Sequence, residues 1–174
     1  MRHVISVLVE NEVGVLARVA GLFSARGFNI ESLTVAPMPT VASFQAEEGM
    51  KNVSGCSRIT LVTHGDDGII EQIIKQLNKL IPVTRVVDVT DGSHVEREMM
   101  LVKLNAEREV RNEALRIAEI FRAHVVDVGP TSLIIEITGK GEKLNACLTA
   151  LAPYRIVDVV RTGQVAMLRE PEKV

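Results

Sequence analysis

The chain has 174 residues, 47% of them hydrophobic and only 3% aromatic, with a net charge of −2 and a pI near 6.1. That apolar supply fills one ordinary core or two small ones. Weak acidity excludes a global basic field for phosphate backbones, and scarce aromatics exclude a base-stacking platform, so no nucleic-acid partner is expected. No uncharged run approaches the ~18 apolar residues of a transmembrane helix. The apolar run at 4–9 is too short for a secretory h-region. Cys56 and Cys147 lack the spacing of a disulfide or metal framework. Together these features predict a cytoplasmic chain with reduced thiols and no membrane association.

Residues 4–9 are β-branched and almost continuously apolar, which predicts a buried strand. The polar stretch Glu10-Asn11-Glu12-Val13-Gly14 predicts a loop. Val15, Leu16, Val19, Ala20, Leu22 and Phe23 then recur at helical spacing, predicting a helix to about Arg26 that Gly27 stops. Residues 28–36 alternate, as a second strand does. A long connection near 38–56 contains Pro39, Gly49 and Gly55 and has little periodicity; it is either functional or poorly ordered. Residues 58–63 predict a third strand, and Asp66-Asp67 supply a helix cap. Ile69, Ile70, Ile73, Ile74, Leu77, Leu80 and Ile81 predict a helix face that Pro82 ends, and 84–89 a fourth strand.

The second half repeats this order. Strands are predicted at 99–104, 125–128, 133–137 and 155–160. Leu115, Ile117, Ala118, Ile120 and Phe121 mark one helix, and Leu144, Cys147, Leu148 and Leu151 another. Letters repeat too. Val19-Ala20-Gly21-Leu22-Phe23 matches Ile117-Ala118-Glu119-Ile120-Phe121, 98 residues on, and Leu80-Ile81-Pro82 matches Leu151-Ala152-Pro153, 71 residues on. The first repeat is therefore expected to carry roughly 27 extra residues between its helices. The fold class predicted is α+β, with two ferredoxin-like βαββαβ repeats, each a four-stranded sheet with two helices on one face. The expected domains are 1–92, with the inserted loop near 38–56, and 93–174.

The chemistry of the first loop suits a small zwitterion. A helix N-terminus offers unpaired N–H groups and partial positive charge, and Gly14 has no Cβ to hold a carboxylate away. Asn11 carries donor and acceptor in one side chain. On pattern alone, Gly14 reads equally as a plain helix start, Asn11 as a loop cap and Asn29 as the start of a strand. His3, His64, His94 and His124 are scattered without metal-ligand spacing. Gly139-Lys140-Gly141 lacks the remainder of a phosphate loop and predicts a helix-start turn. No Ser, Cys or Lys has the surroundings of an activated nucleophile. Neither a catalytic residue nor a metal ligand is predicted. Glu96-Arg97-Glu98 reads as a solvated linker or a partner contact.

The stretch from Leu8 to Val19, with Glu10-Asn11-Glu12-Val13-Gly14-Val15-Leu16-Ala17-Arg18 at its centre, resembles the ACT-domain signature. The following Gly21-Leu22-Phe23-Ser24-Ala25-Arg26-Gly27-Phe28-Asn29-Ile30-Glu31-Ser32-Leu33 narrows the resemblance to the small regulatory subunits of acetohydroxyacid (acetolactate) synthase. His94-Val95-Glu96-Arg97-Glu98-Met99-Met100 strengthens it. The connection at 38–56 is longer than the family's usual turn, and the second half is more divergent. The resemblance implies a homodimer joined sheet edge to edge, with valine at that interface. Asn11, Gly14, Val15 and Leu16 would come from one chain, Asn29 and Ile30 from the other. It further implies no cofactor in this chain. The thiamine diphosphate, Mg²⁺ and FAD would belong to a catalytic subunit that this chain activates and makes valine-sensitive in branched-chain amino acid biosynthesis. A different tandem-ACT regulator, sensing glycine or serine and acting on a transcription complex, is the alternative; an independent small enzyme is a third reading.

Overall fold

The computed structural model describes residues 1–39 and 55–169, without the Arg108 side chain. Two compact units emerge: Met1–Val95 with the segment from Gln164 onward, and Glu96–Gly163. Most of the expected insertion at 38–56 lies outside the described residues.

In the first unit, β1 (Arg2–Glu10), β2 (Ser32–Pro37), β3 (Cys56–His64) and β4 (Val83–Asp88) form an antiparallel sheet in the order β2-β3-β1-β4. Helices α1 (Val15–Ala25) and α2 (Asp67–Leu77) cover one face. Alternate residues of the central strands point beneath them. Ile5, Val7, Val9, Ile59 and Leu61 bury against Val19, Phe23, Ile73 and Leu77, each side chain worth roughly 1.5–3 kcal/mol of burial. This is the ferredoxin-like arrangement the strand-helix order predicts.

The second unit repeats it. Strands β5 (His94–Asn105), β6 (His124–Val128), β7 (Ser132–Gly139) and β8 (Ile156–Arg161) run in the order β6-β7-β5-β8. Helices α3 (Arg108–Ile120) and α4 (Gly141–Leu151) bring Ala114, Ala118, Leu144 and Cys147 onto Met100, Val102, Ile135 and Ile137. One Arg111 nitrogen donates to the carbonyls of Ala106, Gly129 and Pro130 at 3.1, 2.7 and 2.9 Å, tying the start of α3 to the β6–β7 turn.

Several boundaries differ from expectation. β2 starts at Ser32, because the chain first turns back on α1: Gly27 takes φ +70°, its N–H donates to the Ser24 carbonyl, and the Phe28 N–H donates to the Phe23 carbonyl at 3.0 Å. This paired closure spends Phe28 on the helix end, where its ring meets Phe23 edge-on. α2 ends at Leu77, and Leu80 and Ile81 lie in the turn after it. A short strand β9 (Val165–Leu168), absent from the sequence reading, belongs to the first unit. Glu96-Arg97-Glu98 is no linker: it lies inside β5, and the Glu98 side chain is 5% exposed and paired with Arg161.

Candidate effector site

Helix α1 begins without the usual chemistry. Gly14 sits at its N-cap with φ +84°, a left-handed conformation that L side chains rarely adopt. No side chain caps the helix and its first turn has no acidic residue. α2 differs: Asp66 accepts the Ile69 N–H at 2.8 Å. α3 and α4 carry Glu109 and Glu142 in their first turns. Among the described residues, no atom beyond Gly14 and its chain neighbours lies within 4 Å of where a Cβ would stand. The first turn of α1 therefore exposes partial positive charge to a region a ligand can enter.

Asn11 is exposed at the end of β1, with its backbone N–H donated to the Gly55 carbonyl at 2.8 Å. Val15 is buried in the core and Leu16 is 42% exposed, so only Leu16 offers an accessible apolar wall. Asn29 is exposed between α1 and β2, and its carbonyl accepts the Thr63 hydroxyl at 2.7 Å. Ile30 is half-buried against the first core. Among the described residues, the Asn11 and Asn29 side-chain amides have no hydrogen-bond partner.

Within one chain these residues form two groups, not one. Glu10 of β1 pairs with Cys56, and Pro37 of β2 pairs with Ser57, so both strands end at the same side of the sheet. Asn11 and Gly14 lie at that end. Ser32 pairs with Val62, and Arg2 with His64, so Asn29 and Ile30 lie at the other end. The length of β2 alone separates the groups by about 17 Å. Among the described residues, β2 is an edge strand of its sheet. α2 touches α1 and β4, which leaves α1 as the helix nearer that edge. Val13 is fully exposed, and Val35 on β2 is 41% exposed. The sequence did not single out Val13, Val35 or Thr63. Exposure at an edge has no signature in the letters, and Thr63 looks like any strand threonine.

The other candidates resolve into structural roles. His3 is buried, and its Nδ1–H donates to Asp88 Oδ2 at 2.8 Å. Lys140 stands at the N-cap position of α4 without a side-chain cap, and the Lys143 amine donates to the Thr138 carbonyl, so Gly139-Lys140-Gly141 is a helix start. Among the described residues, no three His, Cys, Asp or Glu side chains gather as metal ligands, and no helix is long and apolar enough to cross a membrane.

Comparison with known proteins supplies the context. Residues 5–85 match the family described as an AHAS small subunit-like ACT domain. Residues 97–170 match the family described as the small subunit of acetolactate synthase. A probable acetolactate synthase small subunit of Archaeoglobus fulgidus is 48% identical, covering 99% of this chain and 100% of its own. The isozyme 3 small subunit of Escherichia coli is 46% identical, over 97% of this chain and 96% of its own. The crystal structure of the Thermotoga maritima small subunit superposes with a TM-score of 0.83 at 39% identity, covering 98% of both chains. The chain thus belongs to the acetolactate synthase small subunits, with an ACT domain as its N-terminal half.

Proposed function

We propose that the chain is a non-catalytic regulatory subunit that senses valine and sets the activity of an acetolactate synthase catalytic subunit. Two copies would pair antiparallel through their β2 edges. A two-fold axis across that edge brings the Asn29 end of one β2 against the Pro37 end of the other. Asn29 and Ile30 of one protomer would then meet Asn11, Gly14, Val15 and Leu16 of its partner, an isologous interface with two equivalent sites. The valine carboxylate would cap α1, the asparagine amides would orient its polar groups, and Leu16 and Ile30 would hold its side chain. Thiamine diphosphate, Mg²⁺ and FAD would be bound by the catalytic subunit.

The observation that carries this reading is the start of α1 at Gly14, without a side-chain cap and close to the β2 edge of the sheet, in a chain of this family. Feedback requires that valine bind one arrangement of the dimer better than another. The test is calorimetric titration with valine, and with glycine and serine as rivals, on the native chain and on Gly14→Asp. A carboxylate at position 14 opposes the ligand's own. Saturable valine binding, lost in Gly14→Asp together with inhibition while activation of the catalytic subunit persists, is the expected result. Unchanged valine sensitivity in Gly14→Asp would sink the site, and binding led by glycine or serine would sink the choice of effector.

A further inference from the structure

The first sheet has a second face, turned away from α1 and α2. At one end of it Val4, Val62 and Val89 pack with Ala166 of β9. Toward the other end, Arg58 of β3 and Arg85 of β4 both pair with Leu8 of β1, so two guanidinium side chains flank one leucine in a single row across the sheet. Ser6 follows on the same face, two residues along β1. Between these residues and β9 lies a cavity of about 70 Å³, bordered by Ser6, Leu8, Arg58, Arg85, Met167 and Leu168. It has room for roughly five to seven waters or as many non-hydrogen atoms of a ligand.

Its chemistry is one-sided. Two of its lining residues are cationic, none is acidic, and most of the rest are aliphatic. The Arg58 Nε is buried and, among the described residues, has no hydrogen-bond partner. A buried charged donor without an acceptor is costly, and an anion in the cavity would relieve that cost. A guanidinium fork matches a planar carboxylate. The aliphatic wall of Leu8, Val87, Val89 and Leu168 suits a short apolar tail. Among the described lining residues, no carboxylate is present to pair with an ammonium group.

We propose that this cavity binds a small monocarboxylate with a short aliphatic tail, and that it discriminates against the corresponding zwitterionic amino acid. The site lies on the opposite face of the sheet from α1 and does not depend on the effector reading. The probe is isovalerate, which is valine without its ammonium group; valine and inorganic phosphate are the comparisons. Each is titrated at constant ionic strength into the isotope-labelled full-length chain, followed by nuclear magnetic resonance. Isovalerate should produce saturable shifts of the Met167 and Ala166 methyls and the Ser6 amide. Arg58→Gln should weaken it about tenfold or more, and Arg58→Lys, which keeps charge but loses the fork, less. If Arg58→Gln does not fold, Arg85→Gln tests the same cavity from β4. Gly14→Asp should leave isovalerate binding unchanged, which separates this site from the effector site. No saturable shift at these residues, or equal binding in both glutamine variants, overturns the site. Valine binding there as tightly as isovalerate overturns the discrimination, and phosphate binding without isovalerate overturns the tail.

Discussion

Arg161 grips Glu98 at two points, Nε to Oε1 at 2.8 Å and Nη2 to Oε2 at 2.7 Å. Glu98 is 5% exposed and Arg161 35%, so the carboxylate is dry while the guanidinium reaches solvent and Asn145. Removing the cation leaves a buried charge without compensation. Arg161→Met should cost about 2 kcal/mol in urea unfolding, discounted for the solvent at the guanidinium. Glu98→Leu combined with Arg161→Met should recover most of that loss, because an apolar pair has nothing left to satisfy. A double variant no more stable than Arg161→Met alone would show that the pair does not carry the effect.

Arg122 ends α3 with φ +52°, the position that Gly27 holds at the end of α1. The hydrogen bonds are equivalent. Arg122 donates to the Glu119 carbonyl, and Ala123 to the Ala118 carbonyl, as Gly27 and Phe28 do to Ser24 and Phe23. A non-glycine residue in this left-handed conformation costs about 1–2 kcal/mol, partly offset by the larger backbone entropy that glycine loses on folding. Arg122→Gly should therefore stabilise the protein by about 0.5–1 kcal/mol. Gly27→Ala should destabilise it by a similar amount. Thermal midpoints of the two variants moving in the same direction would refute the equivalence.

That equivalence also explains where the sequence misled. The helix closures, and the bulges at Leu8/Val9 and Lys103/Leu104, lie 95 residues apart. The letter match puts Phe23 on Phe121, 98 residues apart; the structural partner of Phe23 is Ala118. The error of three residues is nearly one helical turn, and a helix shifted by a turn keeps its apolar face. The helix face is legible in sequence, and its register against the sheet is not. Likewise, Ile70, Ile73 and Leu77 correspond to Leu144, Cys147 and Leu151, 74 residues on, so the first repeat is longer by 21 residues and not 27. Strand order and helix order were legible because period and turn residues agree. β9 was not, since four residues pinned by backbone contacts leave no pattern. Of the site, the open start of α1 was legible from Gly14. The separation of Asn11 from Asn29 depends on strand register, which one chain's letters do not reveal.

Cys147 is fully buried on the inner face of α4, and burial pushes its thiol up from the ordinary value, with nearby Lys143 pulling the other way. The native state thus holds the neutral thiol. Its contribution to stability is complete below the unfolded thiol's value, about 8.5, and is lost as pH rises through the folded one, because only the unfolded chain releases the proton readily. Alkylation by iodoacetamide near neutral pH should therefore proceed only as fast as the second unit opens, and stability should fall above about pH 9 less steeply in Cys147→Ala. Rapid labelling of Cys147 in the folded protein, measured by mass spectrometry of the peptide, would contradict this.

β9 is held at both ends. Gln164 donates its N–H to Ser32 Oγ at 3.1 Å, and its side chain accepts from the Arg2 guanidinium. Arg169 donates its N–H to the Ser93 carbonyl at 2.8 Å. Between them Ala166 is 7% exposed against Val4, Val62 and Val89. Ala166→Asp would bury a carboxylate against Val4, Val62 and Val89, at a cost of several kcal/mol unless the strand lifts away. Lifting is the cheaper course, since β9 gives up few apolar contacts while the helix-side core of the sheet is untouched. Hydrogen exchange should accordingly show the β9 amides losing protection in Ala166→Asp while those of β1 and β3 keep theirs. Protection lost together across β1, β3 and β9 would mean that β9 is an integral part of the first unit's cooperative fold.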